Sequence, residues 1–268
     1  MPNFSANISM LFTEHPFLDR FEAAARAGFR AVEFQFPYDH RATDIKARLD
    51  VHGLKLVLHN LPAGNWTAGE RGIACHPARM AEFREGVQLA LEYAAVLGTP
   101  RLNALAGIQP ADVSDQTARA TLLANLKFAA DKLAERGIQL LMEPINTFDI
   151  PGFFVNRTPQ ALSIIRDVHA MGSRNLFLQY DIYHAQRMEG ELAATLQAAM
   201  PHIAHIQVAD NPGRNEPGTG EINYPYLFAW LDRVGYTGHI GCEYKPQDAA
   251  PGGTLAGLGW LAAPGGTQ

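Results

Sequence analysis

The chain is poor in cysteine, in positive charge and in long apolar runs, and each shortage excludes something. Two cysteines, Cys75 and Cys242, are all that 268 residues contain. Two thiols make neither a disulfide framework nor a cysteine-based zinc motif, so a reducing, cytoplasmic setting is the expectation. Both thiols are expected to be small buried apolar groups. Lys and Arg number 22 against 27 Asp and Glu, a formal net charge of −5, and no basic run occurs. Nucleic-acid backbones are gripped by basic patches, so nucleic acid is not an expected partner. No apolar stretch approaches the ~18 residues of a membrane span, so a membrane partner is not expected either. Met1-Pro2-Asn3-Phe4 lacks the basic and apolar regions of a signal peptide.

What the chain does have is a repeated order of elements. Gly28, Gly53, Gly98, Gly137, Gly172 and Gly235 each follow a helix-like stretch and precede a β-rich run, which is where a left-handed residue stops a helix. Phe17, Phe21 and Ala24 stripe one helix, and Met80, Phe83, Val87 and Leu91 another. Ser114 is placed to cap a helix bearing Leu122, Leu126, Ala129 and Leu133. Thr158-Pro159 predicts a capping hydroxyl ahead of a first-turn proline. Asn223 predicts a cap for the helix carrying Leu227 and Leu231, and Glu221 is expected to serve the same helix start.

Eight short apolar runs alternate with these helices: 4–10, 31–36, 55–61, 101–107, 139–145, 176–183, 203–209 and 239–245. Apolar character on both faces suits parallel strands covered by helices, and the alternation defines the α/β class. Shared among eight units, the length allows about 33 residues each, enough for a strand, a helix and two loops. The prediction is a single (β/α)8 barrel, a TIM barrel, over residues 1–247. Residues 248–268 are expected to form a loose tail with a short helix near Leu255 to Leu261. The loops 62–78 and 146–157 are long and follow strands, so both are expected on the active face, with Trp66 as a lid.

Polar residues terminate the strands. Asn7, Glu33, His59, Glu143, Asp181, Gln207 and Glu243 each lie at or near a strand end. Period-two alternation puts Leu141 with Glu143, His205 with Gln207, and Gly241 with Glu243 and Lys245. A carboxylate inside an apolar strand needs a metal, an ion pair or a hydrogen-bond network. Glu143, Asp181, Gln207 and Glu243 offer oxygen only, a set that suits a hard divalent cation, Mg²⁺ or Mn²⁺. The bland alternative is a structural polar network. His59 is a candidate for substrate or a strand-end cap, His184 flanks Asp181, and Lys245 is a partner for substrate or for Glu243. Arg71 and Arg214 are candidates for an anionic substrate, or else ordinary exposed arginines. His205 is expected in the core or behind a ligand. Phe228 and Trp230 are expected at an interface of a homo-oligomer or packed in the barrel.

Several blocks then carry a resemblance. Val32-Glu33-Phe34-Gln35-Phe36-Pro37-Tyr38, His59-Asn60-Leu61-Pro62-Ala63-Gly64, Ala68-Gly69-Glu70-Arg71-Gly72, Glu143-Pro144-Ile145-Asn146, Phe148-Asp149-Ile150-Pro151-Gly152-Phe153 and Gly241-Cys242-Glu243-Tyr244-Lys245-Pro246 resemble the hydroxypyruvate isomerase family. That family belongs to the xylose-isomerase-like barrels, and the likeness runs from residue 4 to about 247. It implies interconversion of hydroxypyruvate and tartronate semialdehyde, with a small sugar acid as partner. It implies Glu143 and Glu243 as the acid/base pair, and a divalent metal held by Glu143, Asp181, Gln207 and Glu243. The sister 2-oxo-tetronate isomerases share much of the pattern and stay open as an alternative. The related ketose 3-epimerases have a His where Gln207 stands, which argues against that activity. Endonuclease IV relatives carry many more zinc-binding His. A non-catalytic sugar-acid binding barrel is the remaining alternative.

Overall fold

The computed structural model describes residues 2–262. Eight strands are present: β1 (Asn3–Asn7), β2 (Ala31–Glu33), β3 (Lys55–Asn60), β4 (Arg101–Ala104), β5 (Gln139–Met142), β6 (Leu176–Asp181), β7 (Ile203–Val208) and β8 (His239–Cys242). They pair in parallel in chain order, and β8 returns to pair with β1, closing the barrel. Helices α1 (Arg20–Arg26), α2 (Ala42–Val51), α3 (Met80–Leu97), α4 (Asp115–Ala134), α5 (Thr158–Ala170), α6 (Ile182–Met188), α7 (Leu192–Ala199) and α8 (Tyr224–Arg233) form the outer layer, and a short α9 (Gly253–Ala256) follows. The main core lies between strands and helices, where Leu102, Leu140, Leu178 and Ile240 meet Leu122, Leu126, Ile165 and Leu231. None of the described helices is long and apolar enough to cross a membrane.

Side chains cap three of the described α-helices. The Ser114 side chain accepts from Thr117 N and caps α4, and Asn223 accepts from Tyr226 N and caps α8. Asp181 caps α6 by accepting from Tyr183 N and His184 N. The capping expectations for Thr158 and Glu221 are corrected. Thr158 is already helical and its own N–H donates to Glu189 Oε1 at 2.7 Å. Glu221 accepts from Asn211 Nδ2 and Gln186 Nε2 instead of the helix start.

Two strand irregularities control which side chains face the barrel axis. Val32 pairs with Leu56 but Glu33 with Leu58, so β3 carries one extra residue. Leu178 pairs with Ile203 but Gln179 with His205, so β7 does too. Such bulges re-aim the residues that follow.

The described part of the tail, to residue 262, carries short helical turns and packs on the barrel. Trp260 stands edge-on to Phe4 at 5.0 Å and stacks on Phe228 at 5.8 Å. Phe12 N donates to Thr254 Oγ1 at 3.0 Å. Phe228 and Trp230 are both buried in the barrel, so neither is an exposed interface group. Pro264-Gly265-Gly266 lie outside the described residues. Both cysteines are free and buried, as expected.

Candidate active site

The C-terminal mouth holds a small cavity of about 70 Å³, walled by Asn7, Gln35, Asn60, Glu143, Gln179, His184, Gln207, Arg214 and Glu243, with Trp66 and Ile150 among its apolar rim. Glu143 and Glu243 stand one residue beyond their strands, and Asp181 ends its own. All three carboxylates are buried. Desolvation, then the charges of Glu243 and Asp181, hold the Glu143 carboxyl well above the usual range. Burial pushes Asp181 up to about 6 and Glu243 up to about 7, with Arg214 opposing both shifts. Three buried acids this close cannot all ionise without a compensating cation.

Amides hold the two glutamates. Asn103 Nδ2 and Gln179 Nε2 donate to Glu143 Oε2 at 3.0 and 2.9 Å. Gln35 Nε2 donates to Glu243 Oε1 at 2.8 Å. Gln35, Asn103, Gln179 and Asn146 escaped the sequence reading. Gln179 stands two residues before Asp181 and so shares its face, which is the one signal that points to it.

His184 is fixed in one tautomer. The Asn146 carbonyl oxygen accepts from Phe148 N and Asp149 N at 3.1 and 2.8 Å, so its NH₂ faces Asp149 Oδ2 and His184 Nδ1. His184 Nδ1 therefore accepts, and the ring proton sits on Nε2. Nε2 lies 3.7 Å from both Glu143 Oε1 and Asp181 Oδ2. Burial, then Arg214, holds this ring well below its ordinary pKa, so it is a neutral donor.

Arg214 is the one Lys or Arg on the wall among the described residues. Its Nη2 lies 3.4 Å from Glu243 Oε1, and its guanidinium lies 5.2 Å from the Tyr183 ring centre. The loop after β7 holds it. The Asp210 carboxylate accepts from the N–H groups of Asn211, Gly218, Gly220 and Ile222 at 2.8–3.0 Å. Arg214 itself has φ 55°, a left-handed backbone that a side-chain-bearing residue adopts at a cost of about 1 kcal/mol.

Three sequence candidates fall outside the cavity. The extra residue in β3 turns Leu58 and Asn60 inward and His59 outward. The His59 ring stacks on Phe34 at 6.0 Å, and neither nitrogen has a partner. Burial alone pushes it down to about 3. Lys245 is exposed, because β8 ends at Cys242 and Glu243 N turns back to Gly241 O, breaking the alternation. Arg71 donates to the carbonyls of Trp66 and Glu70 and covers the Trp66 ring at 4.2 Å. It is a brace for that loop in this conformation. Trp66 itself is on the wall, packed 5.0 Å from Phe36 and 36% exposed. The loop crosses its neighbour glycine on glycine: a Cβ on Gly107 would stand 2.3 Å from Gly72 O, so neither position admits a side chain.

The donor set fits a hard cation. Asp181 Oδ2 is buried with no partner, and Glu143, Asp181 and His184 place ligand atoms within 4.8 Å of one another. Because His184 presents N–H rather than a lone pair, the oxygens are the better ligands. Gln207 adds a carbonyl oxygen, which accepts from Gln179 Nε2 at 2.6 Å.

A closed parallel barrel whose mouth gathers acids, amides and one arginine defines a class of barrel built for small polar substrates. Residues 21–263 match the model of the xylose isomerase-like TIM barrel family, and the chain belongs to that family. It is 55% identical to a hydroxypyruvate isomerase of Escherichia coli over 97% of this chain and 98% of that one. It is 52% identical to a 2-oxo-tetronate isomerase of Cupriavidus necator, again over 97% and 98%. A crystal structure described as an AP endonuclease, family 2, from Brucella melitensis superposes with a TM-score of 0.93 at 44% identity, covering 98% of each chain.

Proposed function

We propose that this chain is an isomerase that interconverts hydroxypyruvate and tartronate semialdehyde. The observation that carries the reading is the pair Glu143 and Glu243, two buried carboxyls at one mouth, where burial first and the charge of Glu243 second hold the Glu143 carboxyl above the usual range. Carboxyls tuned towards neutrality can both take and give a proton at ordinary pH. The likeness to a hydroxypyruvate isomerase at 55% identity supports the same reading.

The chemistry moves one carbon-bound proton. A proton leaves the alcohol-bearing carbon of hydroxypyruvate, an enediol forms, and a proton returns at the former carbonyl carbon. In this reading one of Glu143 and Glu243 removes the proton and the other completes the transfer. Gln35, Asn103 and Gln179 aim the carboxyls through the hydrogen bonds above. Arg214 holds the substrate carboxylate, and the neutral His184 Nε2–H donates to a substrate oxygen. Glu143, Asp181, Gln207 and Glu243 would hold the divalent ion, Mg²⁺ or Mn²⁺, which when bound neutralises negative charge developing on the substrate oxygens. Trp66 and Ile150 keep water from the enediol.

The second reading is a 2-oxo-tetronate isomerase, favoured by the 52% identity to one. NMR of hydroxypyruvate and of a 2-oxo-tetronate with the protein in D₂O separates the two. Faster turnover of hydroxypyruvate, with deuterium entering at carbon, is expected. Preference for the tetronate moves the assignment to the sister activity, and ligand binding without exchange removes the enzyme reading.

A further inference from the structure

Glu33 is fully buried beneath the mouth, behind the wall residues Asn7 and Gln207, and does not itself line the cavity. All its acceptor positions are filled. Ser5 Oγ and His205 Nε2 donate to Oε2 at 2.9 and 2.8 Å, and Asn7 Nδ2 and Gln207 Nε2 donate to Oε1 at 3.2 and 2.8 Å. Four donors converge on the one carboxyl, so it acts as an acceptor at every position. A Cβ on Gly241 would stand 2.3 Å from the Glu33 carboxylate. The carboxylate occupies space that only glycine leaves on β8, two residues before Glu243.

Two hydrogen-bond chains start at this group. In the first, a carboxylate that can only accept forces Gln207 to turn its NH₂ downward. The Gln207 carbonyl then faces Gln179, whose NH₂ must serve both Gln207 Oε1 and Glu143 Oε2. Gln179 Oε1 is left buried and without a partner. In the second, Asn7 donates its NH₂ to Glu33, and its Oδ1 accepts from Ser9 N. Ser9 Oγ accepts from Gln35 N, and Gln35 Nε2 holds Glu243. One chain ends on each site glutamate.

We propose that Glu33 is a positioning residue that sets the donor and acceptor polarity of the Gln207–Gln179 side of the mouth, holding Gln207 so that the Gln179 NH₂ grips Glu143 while the amide carbonyl oxygens remain for the bound cation or a substrate hydroxyl. A network with one fixed acceptor at its root has one consistent amide arrangement; without it, each amide can flip. The inference rests on the proposed roles of Glu143 and Gln207.

The test is a polarity swap. Glu33→Gln keeps the shape but gives the root a donor, so Gln207 can turn its NH₂ upward. The expected result is retained folding by circular dichroism, at least tenfold weaker Mn²⁺ binding by titration calorimetry, an altered Mn²⁺ EPR spectrum, and a kcat reduced about 100-fold with KM changed less. The double variant E33Q/Q207E restores a donor–acceptor pair of reversed direction and again leaves oxygen facing the mouth. It is expected to recover Mn²⁺ affinity to within tenfold of the unaltered protein. Should Glu33→Gln not fold, folding and Mn²⁺ binding by the double variant carries the same support. The proposal is overturned by a Glu33→Gln protein with unchanged affinity and kcat, or by a double variant that folds no better and binds no better than the single one. Failure of the unaltered protein to bind Mn²⁺ would instead remove the cation reading. In that case slow hydrogen exchange of the Gln207 and Gln179 side-chain amides supports the network, and exchange at the rate of free amides overturns it.

Discussion

The Arg214 guanidinium lies 3.4 Å from the Glu243 carboxylate in a mouth where every other charged wall residue is acidic. Its charge opposes the rise that burial imposes on Glu143, Asp181 and Glu243. An arginine that offsets three acids and faces the cavity is placed both to bind an anionic substrate and to keep a base deprotonated.

Arg214→Gln is therefore expected to raise KM for hydroxypyruvate at least tenfold, as loss of a charge-assisted contact worth about 1.5–3 kcal/mol implies. It should also move the acid limb of the kcat/KM profile to higher pH, since the carboxyls lose their opposing cation. A pH–rate profile of the variant checks both. An unchanged KM with an unmoved acid limb would place Arg214 outside the reaction.

The buried acids should cost stability in the metal-free protein. Glu243 titrates at about 7 when folded and near the ordinary ~4.3 when unfolded. Between these values the folded state holds the extra proton, so its stability is fully present below the unfolded value and is lost as pH rises through 7. Glu243→Gln removes that loss, on the order of 2 kcal/mol between pH 5 and pH 8. Denaturant unfolding of chelated protein at the two pH values measures it. Mn²⁺ added at pH 8 should restore stability to the unaltered protein more than to the variant. Parallel pH dependence of the two proteins would contradict the account.

His59 should titrate without taking part in the reaction. Burial holds its folded value at about 3, whereas an unfolded His protonates near ~6.5. The unfolded state then binds the extra proton, so stability is lost as pH falls from 6.5 towards 3. His59→Phe lacks this loss and should gain about 2 kcal/mol relative to the unaltered protein on going from pH 7 to pH 5, with kcat/KM within about twofold. A tenfold loss of activity would put the ring back in the site.

The fold was open to reading because it is written locally. Apolar runs, Ser114, Asn223 and the glycines after each helix act within a turn or two of where they stand. The carboxylates were readable for a related reason, since a charged residue inside an apolar run is locally improbable. What the sequence hid depends on pairing between strands. The extra residue in β3, visible only against β2, turns His59 outward and Asn60 inward. The backbone turn after Gly241 takes Lys245 away from the face that alternation assigns it. Gln35, Asn103 and Gln179 are ordinary polar residues along the chain, and their importance comes from meeting Glu243 and Glu143 across sequence gaps of 208, 40 and 36 residues.

The central claim is that Glu143 and Glu243 together move a carbon-bound proton. Its most direct test is deuterium entry into hydroxypyruvate in D₂O, followed by NMR with added Mg²⁺ for the unaltered protein, Glu143→Gln and Glu243→Gln. Removal of a general acid or base is expected to slow transfer about 10²–10⁴-fold. The account predicts isomerisation with exchange in the unaltered protein and a loss of that size in both variants. Near-native isomerisation by either variant would contradict it.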